Sequence, residues 1–165
     1  MELTKADIAK IQEEIDYRKG ALRQELLTNL KTARAQGDLS ENFEYTMAKR
    51  LNNQNNSRIR YLERMIQTAK IVEDTSAPDE VGLGKLVTVY IPDDDEEETY
   101  KIVTSIRGDS LAGRISDSSP LGKALMGHKS GDRVLVRVNE AYSYELEIRR
   151  IEAAPEGNDD AIRQY

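Results

Sequence analysis

Apolar residues between Thr4 and Ala35 recur at steps of three, four or seven: Ile8, Ile11, Ile15, Leu22, Leu26, Leu30 and Ala33. No Pro falls in that span and Gly20 is its one Gly, so the spacing predicts a helix with a single apolar stripe. Thr4 is placed to cap it, with Asp7 in the first turn. A second stripe, Tyr45, Ala48, Leu51, Ile59, Leu62, Ile66, Ala69 and Val72, runs on to Glu73 without Gly or Pro. Each helix would hold about 30 residues and measure roughly 45 Å at the α-helical rise. So short a connection allows only an antiparallel hairpin. Both stripes are narrow seams of the two-stranded coiled-coil kind. Asn52 and Asn55 fall near the second seam, opposite the stretch from Arg18 to Gln24. Such a polar layer either fixes the register or marks loose packing.

Pro78, Gly82 and Gly84 in "DTSAPDEVGLGK", residues 74–85, end the helical period. The period then falls to about two, and "KLVTVYI", "TYKIVTSI", "LAGRIS", "DRVLVRV" and "YSYELEIRRI" predict five short strands. Between the third and fourth, "SSPLGKALMG" predicts one short helix, capped by Ser118 or Ser119 with Pro120 in its first turn and Gly127 at its end. "DDDEEE", residues 93–98, reads as a solvated hairpin tip. The expected class is α+β: a coiled-coil hairpin over 1–75, a linker over 76–84, a small β domain over 85–152 and a mobile tail over 153–165.

Composition supports a heavily solvated chain, with 33% charged and 38% hydrophobic residues in 165. The absence of cysteine excludes disulfides, thiol catalysis and zinc–thiolate sites, and is compatible with a reducing cytosol. No apolar run is long enough to span a membrane, and the charged "MELTKADIAK" does not read as a secretory signal. The net charge of −6 is uneven: residues 1–75 sum to +1 and residues 76–165 to −7. An acidic second half is a poor match for independent duplex binding, so nucleic-acid contact is expected from the first half.

Between the two helical patterns lies "ARAQGDLSENFEYTMAKR", residues 33–50. Asp38 and Glu41 are three apart at the expected start of the second helix, which would set both carboxylates on one side of its first turn. The plain reading is helix capping, since Asp or Ser at an N-cap with Glu in the first turn is ordinary chemistry. The sharper reading is part of a Mg²⁺ shell at the end of a rod. Two carboxylates make at most half a site, because Mg²⁺ wants further oxygen ligands that another macromolecule would supply. Lys31, Arg34, Lys49 and Arg50 nearby suit RNA phosphates or an acidic wall, or a solvated helix face. His128 has no neighbour in sequence that completes a general base, and reads as structural or idle.

The segment "ARAQGDLSENFEYTMAK" resembles the tip signature of the Gre (GreA/GreB-type) transcript-cleavage factors of bacterial RNA polymerase. "ISDSSPLGKALMGHKSGDRVLVRV", residues 115–138, resembles the hallmark of that family's C-terminal domain. With the patterns around them, the resemblance covers residues 4–152. It implies a coiled-coil hairpin followed by an FKBP-like β domain, acting as a cytoplasmic monomer without membrane association. It also implies docking at the rim of the polymerase secondary channel through Ser119 and Pro120, with the hairpin tip inserted towards the nascent RNA 3′ end. Asp38 and Glu41 would help hold a Mg²⁺ shared with the polymerase and orient the attacking water, with no cofactor bound by the chain alone. Gly37 would permit the turn, and Asn42, Phe43, Glu44 and Tyr45 would shape the tip.

Three departures from the family pattern stand out. Phe43 replaces a small Ala, Arg50 replaces a common acidic residue, and the first helix lacks the usual "RPE" run. Phe43 keeps open a second function, a regulator that occupies the channel without promoting cleavage. A stand-alone metal nuclease is disfavoured, since two exposed carboxylates have no His beside them.

Overall fold

The computed structural model describes residues 1–37, 42–155 and 161–164. The chain divides into two compact units, one of Met1 with Ala6–Lys70 and one of Glu2–Lys5 with Ile71–Tyr165.

The first unit is a helical hairpin. Its outgoing arm is two helices, α1 (Lys5–Lys19) and α2 (Ala21–Ala35), where the sequence predicts one. The break falls at Gly20, whose backbone (φ −95°, ψ −103°) leaves the helical region. Glycine is the poorest helix former after proline and absorbs that kink without a side chain. The apolar stripe is as expected, with Ile11, Ile15, Leu26 and Ala33 buried. The return arm, α3 (Phe43–Thr68), buries Ala48, Asn55, Ile59, Leu62 and Met65. Leu51, assigned to the seam by periodicity, is exposed instead. The predicted helix to Glu73 stops at Thr68, because Ala69 turns extended (φ −71°, ψ 141°). Residues 70–72 then pair with residues 1–3, strand β1 (Glu2–Leu3) against β2 (Lys70–Ile71). The Lys70 N–H donates to Met1 O (3.0 Å) and the Val72 N–H to Leu3 O (2.9 Å). Two residues of strand leave no periodic signal, so Ala69 and Val72 read as helix in sequence.

The polar layer sits where the count places it. The Asn55 amide donates to Arg18 O (3.0 Å) and accepts from the Arg18 guanidinium (3.2 Å). Glu14 receives Arg18 Nε at 2.7 Å and Arg58 Nε at 3.1 Å. Burial alone would push the Glu14 carboxyl up, but the hydrogen bonds from Arg58 and Arg18 outweigh it and hold it below the usual carboxylate range. The register reading of this layer therefore has a specific set of cross-hairpin bonds behind it.

The second unit is a five-stranded sheet in the order β5-β4-β3-β7-β6, with β3 (Lys85–Ile91), β4 (Glu96–Val103), β5 (Arg114–Ser116), β6 (Arg133–Arg137) and β7 (Ser143–Ala153). Neighbours are antiparallel except β4 and β5. Alternation on β6 buries Val134 and Val136, which join Val87, Val89, Ile102, Leu146 and Ile148 in one core. The short helix α4 (Pro120–Leu125) covers that face with the fully buried Leu125. Half of the acidic run is strand: Glu96 to Glu98 pair with Ile91 to Val89, and the turn is confined to residues 92–95. The expected linker is anchored, since the buried Lys85 ammonium donates to Ser76 Oγ (2.7 Å), Glu80 O (2.7 Å) and Ala77 O.

Residues 161–164, expected in a mobile tail, lie against this unit. Ile162 is buried and the Arg163 N–H donates to Ile106 O (2.9 Å). Among the described residues no helix is long and apolar enough to cross a membrane.

Candidate functional site

The hairpin turn is organised by Asn42. Its Oδ1 accepts the Tyr45 N–H (3.0 Å) as the N-cap of α3, and its Nδ2 donates to Ala33 O (2.7 Å) at the end of α2. One side chain thus ties both arms together, and Thr46 Oγ adds a bond back to Asn42 O (3.2 Å). An N-cap of this kind stabilises a helix by about 1 kcal/mol. On the other side, Gly37 holds φ +138°, a conformation that side-chain-bearing residues rarely adopt.

The cap assignment corrects the sequence reading. The helix begins at Phe43, its cap is Asn42 and its first-turn acid is Glu44. Asp38 and Glu41 precede the cap and lie outside the described residues. The N-cap that ordinary helix chemistry would give to an Asp or Ser is Asn42 here. The first-turn dipole has its own carboxylate in Glu44.

The other tip residues divide by environment. Arg34 reaches Tyr45 in a long hydrogen bond to the phenol (3.5 Å), with its guanidinium 5.7 Å from the ring centroid. That bond draws the Tyr45 hydroxyl below its ordinary range. Arg34 thus braces the turn as well as carrying charge. Lys31, Lys49 and Arg50 are exposed. Phe43 is 74% exposed at the first helical position. It rims a shallow apolar cavity of about 370 Å³ shared with Leu26, Ala33, Met47 and Leu51. Among the described residues no three acidic or imidazole side chains gather as for a metal ion.

The expected docking residues lie in the second unit. Ser119 is the N-cap of α4, accepting the Gly122 N–H at 3.0 Å and donating to Ser116 O at 2.6 Å. Pro120, at the first helical position, is exposed. Beside them burial raises the half-buried Asp117 carboxyl above its ordinary range, and the charge of Glu2 adds to the effect. Sequence reasoning missed why Gly122 stands in this motif: a Cβ there would lie 1.9 Å from Ser116 O. His128 packs its ring nitrogen 3.2 Å from Asp132 in a turn, in keeping with a structural part.

A helical hairpin whose arms are tied by Asn42, and a β unit with a capped short helix, define a two-unit α+β protein. Residues 1–71 match the family model described as "Transcription elongation factor, N-terminal", and residues 75–153 match "Transcription elongation factor, GreA/GreB, C-term". The chain belongs to this GreA/GreB transcription elongation factor family. It is 46% identical over 136 residues to the transcription elongation factor GreA of Geobacillus kaustophilus, covering 82% of this chain and 86% of that one. It is 39% identical to the GreA of Oenococcus oeni over 153 residues, 92% and 94% of the two chains. The solved GreA factor homolog 1 (Gfh1) of Thermus thermophilus is 26% identical over 92% of this chain and 97% of its own, with a TM-score of 0.41.

Proposed function

We propose that this protein binds bacterial RNA polymerase and stimulates cleavage of backtracked nascent RNA, as an accessory factor that adds Asp38 and Glu41 to the polymerase active site. The observation that carries the reading is the identity of the cap. Asn42 caps α3 and its amide donates to Ala33 O, so the two arms are tied to each other at the ends of the segment that carries the two carboxylates. Family membership across both units supplies the context.

The donor chemistry fits Mg²⁺, a hard cation that prefers oxygen ligands and keeps several waters. Such an ion, when bound, lowers the pKa of a coordinated water and offsets charge on the leaving oxygen. Two residues from this chain are too few to hold it, so the polymerase must contribute the rest. The part of Asp38 and Glu41 is to orient the attacking water, while Asn42 ties the end of α2 to the start of α3. Lys31, Lys49 and Arg50 stand nearby to meet RNA phosphates or the channel wall. Ser119 and Pro120 dock the second unit, with Ser119 acting through the shape of the α4 corner.

The test is addition of the protein to a stalled, backtracked elongation complex. Internal cleavage with release of a short 3′ fragment is the expected result. Slowed nucleotide addition without cleavage would mean that the tip only fills the channel. Cutting of RNA in the absence of polymerase would mean that the chain is itself a nuclease.

A further inference from the structure

Phe43 is the only Phe of the chain, and it is 74% exposed. It holds the first position of α3, directly after the Asn42 cap. Neither the start nor the packing of that helix needs a ring there: the cap is Asn42, and the buried seam is Ala48, Asn55, Ile59, Leu62 and Met65. Phe43 lines the shallow groove with Met47 and Leu51, which follow it at steps of four on one face of α3. The ring thus has apolar neighbours on the groove side and keeps most of its surface open. The other aromatic residue beside the turn, Tyr45, is half-buried and already has the Arg34 guanidinium 5.7 Å from its ring centroid.

The charges beside Phe43 suit a nucleotide. Arg50 is exposed and follows by seven residues, two turns and about 10 Å along the same helix face. Helical side chains lean towards the N-terminus, so Arg50 covers the side of α3 that faces Phe43. Glu44 lies about 100° round the helix from Phe43, on the side away from Arg50. An open aromatic face with a cation next to it is how proteins hold single-stranded nucleic acid: a base stacks on the ring and the backbone meets the charge.

We propose that Phe43 is a stacking platform for one base of the extruded RNA, with Arg50 against the neighbouring phosphate, so that the start of α3 positions the RNA for cleavage. The inference deepens the function given above and rests on it, because that function supplies the unpaired RNA 3′ segment as ligand. An apolar side chain of the polymerase would fill the groove equally well, but would leave Arg50 without a part.

Backtracked elongation complexes are assembled on RNA whose extruded nucleotides are ordinary or, one at a time, abasic. Cleavage is followed at saturating amounts of the native chain, Phe43→Ala, Phe43→Leu and Phe43→Trp, all with unchanged helical circular dichroism. On ordinary RNA, Phe43→Ala and Phe43→Leu should cleave about tenfold more slowly, the scale of one lost base–aromatic stack, and Phe43→Trp close to the native rate. At one extruded position, removal of the base should slow the native chain by the same factor and leave Phe43→Ala where it was. Phe43→Leu at the native rate overturns the inference, since an apolar contact with polymerase would then suffice. Phe43→Trp no faster than Phe43→Ala overturns it too, as does an equal loss by the native chain and Phe43→Ala at every abasic position. A native chain that stimulates no cleavage on any RNA removes the function itself, and this inference with it; cleavage by the native chain that Phe43→Ala matches sinks the inference alone.

Discussion

In the β unit the centre of the fold is an apolar cluster: Val87, Val89, Ile102, Leu125, Leu146 and Ile148 pack together. In the hairpin the middle of the seam is Asn55 bonded to Arg18, with Glu14 between Arg18 and Arg58. The β unit gains stability from buried apolar area, which acts without direction. The hairpin gives up part of that gain for bonds that hold in only one alignment of the two arms. Alignment matters more in the hairpin, because a shift of one residue would move the turn and everything it carries. The β unit depends instead on close approach, as at Gly122.

Substitutions should therefore separate the two units by what they disturb. The largest expected effect is on chemistry at the turn. Asp38→Asn should lower stimulated RNA cleavage by about 100-fold or more, the scale on which loss of one catalytic group registers. The hairpin should fold unchanged, as its circular dichroism would show. Next is Gly122→Ala, which drives a methyl into the Ser116 carbonyl. It should destabilise the β unit by about 3 kcal/mol, read as a lower denaturation midpoint of that unit. Asn55→Ala should cost the hairpin about 1–3 kcal/mol, because it strips partners from Arg18 in a half-buried layer. Its signature is lost alignment, read by a disulfide trap or spin-label distance between the arms. Asn42→Ala should cost about 1 kcal/mol, yet reduce cleavage more than stability, since it frees both ends of the turn.

The polar layer also makes the hairpin sensitive to acid. The Glu14 carboxyl titrates below its ordinary 4.5 in the folded state. Its contribution is thus complete above the unfolded value and is lost as pH falls through the folded one. Acidification below about pH 4.5 should weaken the helical unit in the native chain but less in Glu14→Gln. Helical circular dichroism followed against pH checks this.

Much of this was legible in the amino-acid order. The two stripes gave the arms, Pro78 and Gly82 the change of architecture, and "SSPLGKALMG" the corner helix with a cap at Ser118 or Ser119, of which the structure uses Ser119. What escaped did so for local reasons. The break at Gly20 is invisible because the stripe continues across it, with Ile15 and Leu22 in phase. Strand β2 is two residues long and carries no alternation. Asn42 reads as an ordinary polar residue in a signature, and its double role needs Ala33 O brought close by the hairpin itself. Ile162 stands alone in a polar stretch, and its burial comes from the folded chain and not from any local pattern. Asp38 and Glu41 were found by spacing and by resemblance, and they lie outside the described residues.

The central claim is that the hairpin turn contributes carboxylates while the β unit contributes attachment. Asp38→Asn with Glu41→Gln in one chain, assayed for polymerase binding and for cleavage of a backtracked complex in the same preparation, addresses it most directly. The account predicts affinity close to that of the native chain together with loss of stimulated cleavage. Cleavage that survives in the double variant, or affinity that falls along with it, would contradict that division of labour.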